Sequence, residues 1–219
     1  MTYGDQIGMG KVIAAIVMVF WASCAQAGGV RIAALGDSLT QGYGLAAEDG
    51  FVPRLEAWLT SQGATVTVIN AGVSGDTTAG GLARVAWTLS ADVDAMIIAL
   101  GGNDMLRGID PDVSRANLNG ILQAAQLAKV PVLLIGMQAP GNYGPDYKMA
   151  FDAIFPELAE QYGALYFNSF FAGLGDPQAG AVNLSAYFQA DGIHPNAQGV
   201  MRIVEGIGPV AKQLIAAVD

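Results

Sequence analysis

The chain has 219 residues, of which 53% are hydrophobic and only 13% charged, with a net charge of −9 at neutral pH. That hydrophobic content excludes an intrinsically disordered chain, and the length suits one sizeable core in one domain. The acidic balance argues against nucleic acid or an anionic membrane surface as the principal partner.

The first segment reads as a leader. Lys11 precedes an apolar run over residues 12–22, and Ser23-Cys-Ala-Gln-Ala27 supplies an Ala-x-Ala cleavage site. Together these form the pattern of a secretory signal peptide over residues 1–27. The run falls well short of the roughly 20 apolar residues needed to span a bilayer. Asp5 weakens the positive region, and Met9-Gly-Lys11 makes a cleaner start, so Met9 is an alternative initiator. Cleavage after Ala27 removes Cys24, the only cysteine, so the mature chain (28–219) can form no disulfide and meets an oxidising compartment at no cost. A lipidated Cys24 is the disfavoured alternative, because Trp21 stands where Leu or Val is usual. The expectation is a periplasmic or secreted protein with no membrane span left after processing.

From residue 30 onwards, short apolar runs alternate with longer segments of helical spacing. Val30–Leu35 predicts the first strand. Phe51–Gln62 predicts a helix, with Phe51, Leu55, Trp58 and Leu59 on one face and Gly63 as its stop. Thr65–Asn70 is the second strand, followed by a helix over Thr78–Leu89. Ala95–Leu100 is the third strand. The helix Pro111–Ala128 opens with proline in its first turn and carries Leu118, Ile121, Leu122 and Ala125. Pro131–Gly136 is the fourth strand, Tyr147–Tyr162 a helix, Ala164–Asn168 a weaker fifth strand, and Ala197–Val218 the last helix. The strands are β-branched and mostly apolar, as expected when both faces are buried. The alternation predicts one α/β domain over 28–219, a three-layer α/β/α with a five-stranded parallel sheet covered by helices on both faces. Ligands in such folds bind outside the carboxyl ends of the strands. The loops that follow strands one, two and three, with Ser38, Gly75 and Asn103, therefore converge on one rim.

The chain has a single histidine, His194, in Asp191-Gly-Ile-His-Pro-Asn196. One histidine cannot share a zinc with two others, but it can be the base that a serine nucleophile requires. Asp191 can accept from one ring nitrogen and fix the tautomer, leaving the other nitrogen to take a proton. Ser38, in Gly36-Asp-Ser-Leu-Thr40, is the candidate nucleophile, although on position alone it suits a helix cap better. Gly75 offers a closely approachable backbone N–H and Asn103 a side-chain amide, both suited to a developing oxyanion. Read singly, Gly75 is as well explained as a turn glycine and Asn103 as an Asx-turn residue.

The combination is specific. Gly36-Asp-Ser38, Gly75 in Ser74-Gly-Asp76, Gly101-Gly-Asn-Asp104 and Asp191-Gly-Ile-His-Pro195 resemble, in order and spacing, the four sequence blocks of the GDSL, or SGNH, hydrolases. The resemblance covers essentially the whole mature chain and implies a flavodoxin-like sheet. It also implies a catalytic triad of Ser38, Asp191 and His194, with an oxyanion hole from Ser38, Gly75 and Asn103. The stretches Gly75–Arg84, Gly101–Gly108 and Ala139–Gly144 are similar to the periplasmic acyl-CoA thioesterase, lysophospholipase and arylesterase branch, with Met105 as a departure.

The activity thus implied is a serine hydrolase acting on small acyl esters, acyl thioesters or lysophospholipids, without metal or other cofactor. Met105, Leu106, Ile109, Pro140 and Tyr143 are the candidate residues of an acyl groove, while Tyr162, Tyr166, Phe167, Phe170 and Phe171 bracket the fifth strand and are read as core. A carbohydrate O-deacetylase keeps the same catalytic residues but would call for more exposed aromatics. A non-catalytic secreted binding protein is the reading from another class. The nucleophile elbow Gly-x-Ser-x-Gly, the P-loop and the dinucleotide fingerprint are all absent.

Overall fold

Five mostly apolar runs pair as parallel strands, and the most hydrophobic of them, buried along their whole length, lie inside the sheet rather than at its edges. The computed structural model describes residues 29–89, 92–175 and 184–218, together with Met1. The expected signal peptide, residues 1–27, otherwise lies outside the described residues. The strands are β1 (Val30–Gly36), β2 (Val66–Gly72), β3 (Ala95–Ala99), β4 (Val132–Ile135) and β5 (Leu165–Phe167), in spatial order β2-β1-β3-β4-β5. All four pairings are parallel, with Gly36 in register with both Gly72 and Ala99.

The connecting helices are α1 (Ser38–Gln41), α2 (Phe51–Ser61), α3 (Thr78–Thr88), α4 (Gly102–Leu106), α5 (Pro111–Leu127), α6 (Pro145–Tyr162) and α7 (Ala197–Ala216). Helix α2 packs on α7, while α3 packs on α5 and α5 on α6, so helices cover both faces of the sheet. Sheet residues Ile32, Leu35, Ile97, Ile98, Leu133 and Leu134 are completely buried beneath Phe51, Leu55 and Leu59 of α2 and Phe151, Ile154 and Phe155 of α6. Each such side chain contributes about 1.5–3 kcal/mol of transfer free energy. Among the described residues, no helix is long and apolar enough to cross a membrane.

The elements follow the sequence reading closely, and the differences have local causes. Strand β2 runs two residues further than its apolar stretch because β1 continues to pair with it as far as Gly72. Strand β5 shrinks to three half-buried residues at the sheet edge. The short helices α1 and α4 have no apolar periodicity to announce them. In this strand order the chain reverses its winding between β1 and β3, so a crevice opens where these two strands diverge. Residues 38 and 103 lie just beyond their carboxyl ends.

Candidate active site

Strand β1 ends at Gly36, and the chain turns at once into α1. Asp37 caps that helix, its Oδ1 accepting from the N–H of Leu39 at 3.0 Å. Ser38 is therefore the first helical residue rather than the cap. Its own N–H belongs to the first turn, where no intrahelical acceptor exists.

His194 comes from the other end of the chain, on a loop closed by its own bonds. Phe188 and Pro195 form an antiparallel bridge, and the Gln189 N–H donates to the His194 carbonyl at 2.8 Å. The Gln189 side-chain amide then donates to the carbonyls of Tyr43 (2.8 Å) and Pro195 (3.0 Å), tying this loop to the one after α1. Within the loop, Asp191 Oδ1 accepts from the N–H groups of Ile193 and His194 at 2.9 and 3.0 Å. Its Oδ2 lies 2.7 Å from His194 Nδ1, and His194 Nε2 lies 2.9 Å from Ser38 Oγ. The Tyr43 ring rests against the imidazole with centroids 4.6 Å apart.

Hydrogen bonding from the His194 ring, reinforced by the backbone N–H groups of His194 and Ile193, holds the Asp191 carboxyl down at about 2. An ionised carboxylate only accepts, so Nδ1 carries the proton and Nε2 is left as the acceptor for the Ser38 hydroxyl. This Ser–His–Asp chain can generate a serine nucleophile and stabilise the imidazolium that results.

The other two residues singled out from the sequence lie on the segments that follow β2 and β3. Gly75 adopts φ = 82°, a left-handed conformation that favours glycine. Asn103 is the second residue of α4, and its Nδ2 donates to the Asp76 carbonyl at 2.9 Å, with Asp37 Oδ2 at 3.4 Å. The preceding Gly101 has φ = 113°, and a Cβ there would come within 3.1 Å of the Phe155 ring.

Two carboxyls within the sequence motifs, Asp37 and Asp104, are buried. Asp104 accepts from the N–H and hydroxyl of Thr78 (2.9 and 2.6 Å) and from Ser114 Oγ (3.0 Å), fastening α4 to α3 and α5. Asp37 lines the crevice, and burial pushes its carboxyl up to about 6, against the pull of the Leu39 N–H and of His194. A residue of that type directly before a helix start is an N-cap signal. Because the folded value lies above the ordinary 3.8, Asp37 contributes stability that is complete below pH 3.8 and lost as pH rises through about 6. Asp37→Asn keeps a capping oxygen but cannot titrate. Its melting temperature relative to the parent should therefore be higher at pH 8 than at pH 4, and an equal difference at both pH values would contradict the assignment.

Ser38, Asn103 and His194 open into a cleft of about 450 Å³ whose walls are mainly apolar. Of the residues expected to form an acyl groove, Met105 and Leu106 line it, whereas Ile109, Pro140 and Tyr143 do not. Tyr143 stands beside it, half exposed, with its hydroxyl donating to the Leu106 carbonyl at 3.3 Å. The Ile109 carbonyl is engaged by the Tyr147 hydroxyl at 3.0 Å. The remaining apolar walls are Leu39, Met137, Phe171, Phe188 and Ile193. Phe170 is core as expected, but its neighbour Phe171 is only half-buried and faces the cleft.

Residues 34–202 match the model of the GDSL-like lipase/acylhydrolase family. The chain is 38% identical over 191 residues to esterase TesA of Pseudomonas aeruginosa, covering 87% of this chain and 92% of that protein. It is 32% identical over 201 residues to an arylesterase of Vibrio mimicus (91% and 96% covered). It is 36% identical over 165 residues to thioesterase 1/protease 1/lysophospholipase L1 of Escherichia coli, covering 74% of each chain. A crystal structure of TesA superposes with a TM-score of 0.76 at 37% identity, covering 84% of this chain and 99% of the other.

Proposed function

Since the chain belongs to the GDSL-like lipase/acylhydrolase family and is an ester hydrolase, we propose that it cleaves acyl esters and thioesters through an acyl-enzyme on Ser38. The observation that carries this reading is the continuous relay from Asp191 Oδ2 through the imidazole to Ser38 Oγ, with links of 2.7 and 2.9 Å.

His194 Nε2 takes the hydroxyl proton as Ser38 Oγ attacks the acyl carbon, and Asp191 stabilises the imidazolium. The negative oxygen is received by the N–H groups of Ser38 and Gly75 and the amide of Asn103. Each such donor, aimed where charge develops, is worth about 3 kcal/mol in the transition state. His194 then gives its proton to the departing alcohol or thiol. Water, deprotonated by the same ring, releases the acid. No metal or cofactor enters the scheme.

The cleft walls support the choice of substrate. Leu39, Met105, Leu106, Met137, Phe171 and Ile193 suit an acyl chain better than a sugar ring. Small acyl esters, acyl thioesters and lysophospholipids are therefore the substrates, met in the periplasm or outside the cell once a leader ending near Ala27 is removed.

A fluorophosphonate should label the protein stoichiometrically on the peptide that contains Ser38. In a panel of p-nitrophenyl esters from acetate to palmitate, run beside palmitoyl-CoA and lysophosphatidylcholine, both oxygen and sulfur esters should turn over. Protein that stays unlabelled and inactive would be a binder rather than an enzyme, and a label on another serine would displace Ser38.

A further inference from the structure

The three oxyanion donors follow three different strands, two on the first turns of α1 and α4 and one on the turn after β2, and something must hold these segments in mutual register. Arg84, in the middle of α3, reaches across to them. Its Nη2 donates to the Gly36 carbonyl at 2.8 Å, Nη1 to the Ala71 carbonyl at 2.6 Å, and Nε to Asp76 Oδ2 at 2.7 Å. Gly36 ends β1, two residues before Ser38. Ala71 is the penultimate residue of β2, ahead of Gly75. Asp76 follows Gly75 directly, and its own backbone carbonyl accepts from Asn103 Nδ2.

We propose that Arg84 is a positioning residue for catalysis, a single planar guanidinium that sets the Ser38, Gly75 and Asn103 donors relative to one another. The inference rests on the oxyanion assignment above and adds a residue to it.

The geometry needs an arginine. Three N–H donors leave one rigid plane towards three acceptors, and both Arg84 and Asp76 are largely shielded from water, with side chains 22% and 18% exposed. Lysine would retain the charge but meets these acceptors with a single freely rotating ammonium, so it cannot fix three directions at once. Peptide planarity transmits the effect. A carbonyl held on one side of a peptide fixes the N–H on the other, so pinning Gly36 orients the Asp37 peptide that leads into Ser38. Gly36 also accepts from the Val73 N–H at 3.0 Å, which couples the same carbonyl to the loop carrying Gly75.

Misplacement of donors by a fraction of an ångström weakens the transition state more than it weakens substrate binding. Arg84→Lys should therefore lower kcat about 10- to 100-fold while KM changes less than about 3-fold. A purely structural role would lower the melting temperature and leave the kcat of folded protein unchanged. The decisive readout is a double-mutant cycle with Asn103→Ala, which alone should lower kcat about 100-fold or more. If Arg84 works through these donors, the double variant falls only a few-fold below Asn103→Ala, far short of the product of the two losses. Should Arg84→Lys fail to fold, Asp76→Asn carries the same cycle, since it weakens the Arg84 contact but keeps the carbonyl that receives Asn103. Multiplicative losses, or an unchanged kcat, overturn the proposal. Ser38→Ala assayed alongside separates the two levels. Activity surviving in that variant sinks the serine mechanism itself, whereas its loss beside normal Arg84 and Asp76 variants sinks only the positioning role.

Discussion

Ser38→Ala is expected to lower kcat/KM by at least about 10⁴-fold on every ester and thioester substrate. The substitution removes one oxygen atom, and that atom's hydrogen bond is to His194 Nε2. Alanine is fully compatible with the first position of α1, and the backbone N–H at residue 38 remains. The fold should therefore survive, with a melting temperature within a few degrees of the parent. Any residual rate would come from substrate binding beside the surviving oxyanion donors. Substrate affinity, measured with an unreacted acyl-CoA, should be nearly unchanged. Turnover within tenfold of the parent would remove Ser38 from the reaction.

His194→Ala should produce a loss of the same order, because this is the only histidine in the chain and no second imidazole can stand in for it. Here the variant retains its nucleophile but not the base that activates it. Phosphonylation of Ser38 should slow in parallel with hydrolysis, which distinguishes a missing base from a missing nucleophile. The partner carboxyl makes a further prediction about pH. Asp191 is held at about 2, below its ordinary 3.8, so its favourable contribution is fully present above pH 3.8 and disappears only as pH falls through about 2. Above pH 4 the imidazole therefore always faces a carboxylate, and no limb of the activity profile there belongs to Asp191. Asp191→Asn should cut kcat about 10²- to 10⁴-fold by presenting an amide that can favour the wrong ring tautomer. A profile for that variant that coincides with the parent's would count against the relay.

The middle of the sheet was readable in the sequence because β3 and β4 are buried on both faces, so the apolar runs Ala95–Leu100 and Pro131–Gly136 carry the whole signal. The fifth strand was weak on paper and is short in space for the same reason: at the edge it buries less. The residues converging on the rim were legible only as a set, since Ser38, Gly75 and Asn103 each suit an ordinary turn or cap when read alone. The roles of groups that act through distant partners are not legible in the sequence. Asp37, Asp104 and Arg84 look like surface charges in a linear reading, and only the tertiary structure brings Gly36, Ala71 and Asp76 within reach of one guanidinium. The cleft was partly legible. Met105 and Leu106 share the short helix α4 with Asn103 and cannot stray from it, whereas Phe171 and Phe188 reach the cleft from sequence positions far beyond α4. Their division between core and cleft depends on how the last third of the chain folds back.

That folding back has a temporal side. The hydroxyl at position 38 and the ring at position 194 are separated by 156 positions, and the loop bearing the ring is anchored by contacts to Tyr43 and by α7 behind it. A ribosome releases the first partner long before the second exists. On the mechanism proposed for Ser38 and His194, chains cut short ahead of residue 194 should be inert towards acyl thioesters in the compartment in which they are made, because they lack the base.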